Sequence, residues 1–238
     1  SLVRIQSLAP YGSYMPNNEI EDSTRIKIMH SFGPKIGAVK LGKSITKRFL
    51  ELTDNILADK DRQTHGHRLA GQIKEETTLP IEYLKDANLY SILQEVHTHY
   101  ITSVYPNSYA IDGSLVEFKV EIDNCWIVSQ YENEYNPTHS HDFCTLSSVL
   151  YLKIPEYEPR NIPGKSASDG HIHFINNSLN INNPSHLEVG GISLAPEVGD
   201  MYIFPSRLLH SVNPFLGPGE RRSVSMNSIH YMREKNSE

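Results

Sequence analysis

From residue 116 onward the apolar residues of this chain alternate: Val116, Phe118, Val120 and Ile122 are separated by Glu117, Lys119 and Glu121. Residues two apart share one face of an extended strand, so this pattern builds a strand with one wet and one buried face. Short apolar segments follow at 125–131, 145–154, 171–175, 201–204 and 221–229, separated by clusters of Pro, Gly and Asn that suit turns. Such a run of strands argues for an antiparallel sandwich or barrel.

The first 105 residues have another character. Up to about residue 35 the chain is polar and rich in Pro, Gly, Asn and Ser, with Tyr11 and Tyr14 beside Gly12 and Pro16, and reads as an extended arm. Residues 36–41 suit a short strand. Ser44 can then cap a helix in which Ile45, Phe49, Leu52 and Ile56 recur at helical spacing. The polar stretch DKDRQTHGHR from Asp59 separates it from a second helical stripe, Leu89, Leu93, Val96, Tyr100 and Val104, which ends before Pro106. Helices followed by strands predict an α+β chain, mainly β. The expected division is an N-terminal arm and helical support region over 1–105 and a β core over 106–238, joined as one compact unit; 238 residues suffice for a sizeable apolar core. A long loop, EYEPRNIPGKSASDG from Glu156, interrupts the strands, and loops of that length are often lids.

Charge and composition narrow the function. A net charge of −6 with no basic run leaves no electrostatic footprint for a nucleic acid or an anionic membrane. No stretch of about 18 apolar residues suggests a span, and no basic-then-apolar leader suggests secretion. Cys125 and Cys144, the only cysteines, lie in apolar runs and read as buried reduced thiols of a cytoplasmic protein. A small molecule or a protein side chain is the expected substrate, and a homodimer is compatible with the sequence.

Histidine is the informative residue type. Among twelve there are four His-x-His pairs, so the bare pattern is a weak signal and context must discriminate. His65 and His67 sit in a polar, Gly-containing loop and read as solvated. His97 and His99 lie on the helical stripe, where residues two apart point in different directions. His139/His141 and His171/His173 fall in or beside strand patterns, where residues two apart share a face and two imidazoles can ligate one ion. His139/His141 is followed by the strand TLSSVLYLKIP, then by a Pro-x-x-Gly-Asp turn at 196–200, the strand MYIF, His210 in PSRLLHSVNPF, and a Gly-rich turn into GERRSVSMNSI. In that last strand alternation separates Arg221, Ser223, Ser225 and Asn227 from Arg222, Val224 and Met226, so only one of the adjacent arginines can point inward.

This order of motifs, over roughly residues 115–230, resembles the Fe(II)/2-oxoglutarate-dependent oxygenases, in particular the prolyl-hydroxylase-like group. It is most similar to a bacterial and phage subfamily with an H-x-H motif before an L-S-x-V-x-Y-L strand; a phage origin would place the chain in the host cytoplasm. The resemblance implies a double-stranded β-helix, of jelly-roll or cupin-like type, with the N-terminal helices packed on it. It implies hydroxylation of a substrate with release of succinate and carbon dioxide, with Fe(II) held by His139, His141 and His210 and 2-oxoglutarate as co-substrate. Arg221 and Ser223 would bind the distal carboxylate of 2-oxoglutarate, Tyr151 would hydrogen-bond it, and Tyr131 matches a position near the metal-bound end. Most of the family carries Asp or Glu where His141 stands, so the site becomes a three-His site unless Asp142 swings in. By family position His171 and His173 would lie beside the site, as substrate contacts or structural residues. A cupin-like metal protein that does not use 2-oxoglutarate is the alternative, and the spacing of His210 and Asn213 is a cupin feature. Against it, the Glu expected soon after the His pair is missing from DFCTLSSV, and Arg221 favours a dicarboxylate.

Overall fold

A computed structural model describes residues 27–29, 33–104, 116–160, 167–175 and 190–234. Most of the polar arm, including Tyr11 and Tyr14, and part of the long loop from Glu156 lie outside the described residues. In chain order the elements are β1 (Lys27–Met29), β2 (Ile36–Lys40), α1 (Lys43–Ala58), β3 (Glu75–Thr78), α2 (Ile81–Asp86), α3 (Tyr90–Val104), β4 (Val116–Gln130), β5 (Asn136–His139), β6 (Leu146–Lys153), β7 (Ile172–Ile175), β8 (Gly191–Leu194), β9 (Asp200–Pro205), β10 (Leu209–Val212) and β11 (Arg221–Glu234). A single 3-10 turn, Gly66–Arg68, precedes β3. No helix among the described residues is long and apolar enough to cross a membrane.

The strands form two antiparallel sheets, a major one in the order β1-β2-β9-β6-β11-β4-β3 and a minor one in the order β5-β10-β7-β8. From β4 onward the chain crosses between them at nearly every connection: β4 major, β5 minor, β6 major, β7 and β8 minor, β9 major, β10 minor, β11 major. That winding makes the double-stranded β-helix. Alternation then creates two cores. Cys125, Ile127, Leu150, Met201, Ile203, Val224 and Met226 face the helices and pack with Ile45, Phe49, Leu93 and Ile101. Val149, Tyr151, Tyr202 and Phe204 face the minor sheet and pack with Ile172 and Phe174.

Several local expectations are revised. Gly42, not Ser44, occupies the N-cap of α1, with no side-chain cap, because the helix starts one residue before Ser44. Segments 116–122 and 125–131 are one strand: Asn227 pairs with Asn124 and Ser228 with Ile122, so Asp123 is taken up as a bulge rather than a turn. His65 is buried, not solvated, its ring stacked on Trp126 at 5.1 Å. His97 is fully buried between α3 and β6, donating from Nδ1 to the Leu93 carbonyl at 2.7 Å and accepting at Nε2 from the Ser148 hydroxyl at 2.9 Å. Both cysteines are free; Cys125 is buried, whereas Cys144 is only half-buried.

The N-terminal region also supplies strands. β2 pairs with β9 at one side of the major sheet, and β3 pairs with β4 at the opposite edge. Gly37 lets α3 approach β2 closely, since a Cβ there would come within 2.6 Å of the Tyr100 ring. The sequence EETT gives no apolar signal for β3, yet Glu76 is only 3% exposed. Its carboxyl lies under the turn before β3, where a Cβ on Gly71 would sit 2.9 Å from Oε1, and Oε1 has no partner among the described residues. Burial first, and the charge of Glu134 second, push its pKa up to about 7.

A carboxyl raised from 4.5 to about 7 contributes stability that is complete below the unfolded value and is lost as pH rises through 7. At about 1.4 kcal/mol per unit, the cost of ionising it in the folded protein approaches about 3 kcal/mol. Glu76→Gln should therefore melt at a higher temperature than the unaltered protein at pH 8 to 9, with the gap closing near pH 5. Thermal denaturation across that range checks it.

Candidate active site

β5 and β10 pair so that His139 stands directly opposite His210. β5 ends at His139, so His141 does not share a strand face with it, contrary to the expectation from alternation. It reaches the same point from a loop, because its backbone N–H is tied to the Ser206 carbonyl at 2.9 Å. One ligand atom from each of the three imidazoles lies within 4.8 Å of the others, and Nε2 of His141 is 3.3 Å from Nε2 of His210. Nδ1 of His139 donates to the Pro137 carbonyl at 2.7 Å and Nδ1 of His210 to the Leu208 carbonyl at 2.8 Å. Those bonds hold the tautomer that leaves Nε2 with a free lone pair, as a metal-ligating histidine requires.

The electrostatics agree. Burial is the main cause lowering all three pKa values, to about 4 for His141 and about 3 for His210, and the neighbouring imidazoles add to it at these two. The rings are thus neutral at pH 7, and the donor set fits a divalent transition ion such as iron. Asp142 takes no part: its exposed carboxylate pairs with Arg207. In the same loop Phe143 is 97% exposed at a φ of 62°.

From the histidines a narrow cleft runs between the sheets toward Arg221, Ser223 and Tyr151. Arg221 is 2% exposed, its guanidinium 4.8 Å over the Tyr151 ring, and one nitrogen donates to Gln130 Oε1 at 3.0 Å. Nε and the other terminal nitrogen have no acceptor among the described residues, and the buried hydroxyls of Tyr151 and Tyr157 are equally without partners. Burial pushes the Tyr151 phenol up to about 12 against the opposing pull of the Arg221 charge. The two Arg221 nitrogens and the Tyr151 hydroxyl, unmatched and able to donate, stand at this end of the cleft and suit an anion.

Arg222 faces the opposite side, where Glu220, Asp54 and Thr53 receive it. Tyr131 is not in the cleft; its ring is 41% exposed. The reason is parity: Trp126, Val128 and Gln130 line the cleft, and Tyr131 is one residue out of phase with them. His171 and His173 do not line it either, since Ile172 and Phe174 take the inward positions of β7. Gln130 and Tyr157 escaped the sequence reading. Gln130 could have been found as the position paired with Arg221, whereas Tyr157 comes from an irregular loop with no periodic signal.

Replacing His139, His141 or His210 by Ala should abolish stoichiometric binding of Fe(II) or Co(II), whereas Asp142→Ala should retain it; metal analysis after dialysis distinguishes these outcomes. Because the imidazoles are already neutral, loading at pH 7 should release almost no protons, and affinity should fall as pH drops toward 4. Calorimetry in buffers of different ionisation enthalpy reads the proton count.

Comparison with known proteins bears on the fold and the family. Among solved structures the chain is similar to the non-heme alpha ketoglutarate dependent epimerase SnoN from nogalamycin biosynthesis, at 15% identity over 84% of this chain and 80% of that one, with a TM-score of 0.52. AviO1 from Streptomyces viridochromogenes Tue57 is similar at 10% identity over 82% and 89%, with a TM-score of 0.50. A prolyl-4-hydroxylase from Pseudomonas putida shares 14% identity over 84% and 93%, with a TM-score of 0.49. No curated protein matches the chain. Residues 124–227, which carry the three histidines and Arg221, match the family model described as "Putative 2OG-Fe(II) oxygenase". This match, over less than half of the chain, makes the β core similar to the putative 2OG-Fe(II) oxygenases.

Proposed function

We propose that the protein is a non-haem dioxygenase that hydroxylates a substrate at the mouth of the cleft, converting 2-oxoglutarate and dioxygen to succinate and carbon dioxide. The observation that carries this reading is the pairing of two features in one cleft: a cluster of neutral imidazoles, and a buried arginine with unmatched donors. His139, His141 and His210 would hold Fe(II), which would supply the redox chemistry of the reaction.

The residues of the chain do the rest. Arg221 is a permanent cation in a desolvated site, and a carboxylate compensates it better than water can. The Tyr151 ring supports the guanidinium from below, and Gln130 fixes its rotation through the 3.0 Å bond. Ser223 lies beside them in the cleft. Three neutral ligands leave the metal one charge unit more positive than a site with a carboxylate, which alters its redox poise. Leu69, Ala70, Ile73 and Trp126 give the cleft an apolar wall suited to the aliphatic part of a small molecule or a protein side chain. The net charge of −6 disfavours nucleic acid, and two free cysteines suit a reducing compartment such as the cytoplasm. The cupin-like alternative has less support, because the Asn213 amide is spent on the Ser168 carbonyl at 3.0 Å.

Anaerobic addition of 2-oxoglutarate to the Fe(II)-loaded protein should produce the visible charge-transfer band of a chelated 2-oxo acid. Arg221→Ala should weaken that binding by on the order of 3 kcal/mol, about a hundredfold, because it leaves a carboxylate unpaired in a desolvated site. Arg222→Ala should change it little. Absence of the band in the unaltered iron-loaded protein would falsify this function.

A further inference from the structure

We infer that Tyr157 is a further side chain of the carboxylate socket, its hydroxyl donating to the distal carboxylate of the co-substrate and so favouring a diacid over a monoacid. The inference rests on the proposed function and adds to it a residue that the family pattern read from the sequence did not include.

The Tyr157 hydroxyl is buried and has no hydrogen-bond partner among the described residues, the same condition as the Tyr151 hydroxyl and two nitrogens of Arg221. The Arg221 charge acts on both phenols, opposing the upward push of burial on each, so both hydroxyls lie close to the guanidinium. A phenol oxygen can accept from a guanidinium N–H, but a guanidinium has no acceptor for the phenol proton, and a carboxylate accepts from both.

Tyr157 is also held in place. Behind it is Gly170, at a φ of 64°, where a Cβ would overlap the hydroxyl. Beside it the fully buried Phe215 ring packs at 5.0 Å. The next residue is pinned by the bond from the Glu158 N–H to the Leu216 carbonyl at 2.8 Å. The ring is therefore pre-positioned, and ligand binding need not order it.

The test uses the Mn(II)-loaded full chain with two probes: 2-oxoglutarate, and 2-oxopentanoate, which has the same carbon chain but ends in a methyl group. Tyr157→Phe keeps the ring packing and removes one hydrogen bond to a charged group. Its preference for 2-oxoglutarate over 2-oxopentanoate should fall about tenfold, with metal stoichiometry and melting temperature unchanged. An unchanged preference, or an equal loss for both probes, overturns the assignment. If that happens while the unaltered protein binds 2-oxoglutarate and Arg221→Ala does not, the oxygenase reading survives without Tyr157. If the unaltered protein binds no 2-oxoglutarate, both fall together.

Discussion

The pairing of β11 with β4 on one side and β6 on the other is the constraint on which the rest of this structure depends. Its register sets Arg221 opposite Gln130, Ser223 between Val128 and Tyr151, and Ser225 between Trp126 and Val149. Every second residue of three adjacent strands is thereby committed to the cleft, and the intervening ones to the helical layer. A slip of one residue would send Arg222 into the cleft and Arg221 against α1, exchanging a carboxylate socket for an ion pair. The ion pair itself opposes that slip, since Arg222 is satisfied by Glu220 and Asp54 only in the observed register.

The two ends of the cleft obey opposite electrostatic rules. At one end burial strips three imidazoles of their protons and leaves lone pairs for a cation. At the other a guanidinium that cannot lose its proton is buried with most of its donors unmatched, so the cleft asks for an anion there. A molecule that chelates a metal through one end and presents a carboxylate at the other meets both demands. This complementarity agrees with the family match over 124–227 without depending on it.

Parts of this arrangement were legible in the sequence because they follow from period alone. The alternation over 116–122, the separation of Arg221 from Arg222 and the helical stripe from Leu89 need only local backbone geometry. Most elements shorter than five residues were not legible, β7 being an exception expected over 171–175. β3, β5, β8 and β10 have four residues each, too few to display a period, and β3 is masked by two glutamates. Asp123 and Asn124 read as a turn because their chemistry favours one, and only the neighbouring strands force the bulge.

The same division holds for the candidate site. The sequence by itself singled out candidate metal-ligating and carboxylate-binding residues and, where a strand is regular, the face each occupies. Tertiary structure decided what lies outside regular strands: that His141 reaches the cluster from a loop held by Ser206, that Asp142 turns to Arg207, that Tyr131 is one residue out of phase, and that Tyr157 arrives beside Arg221. The physical reason is that periodicity encodes direction only relative to a residue's own backbone. Convergence of side chains from separate strands and loops is set by sheet pairing and by hydrogen bonds between residues far apart in the chain.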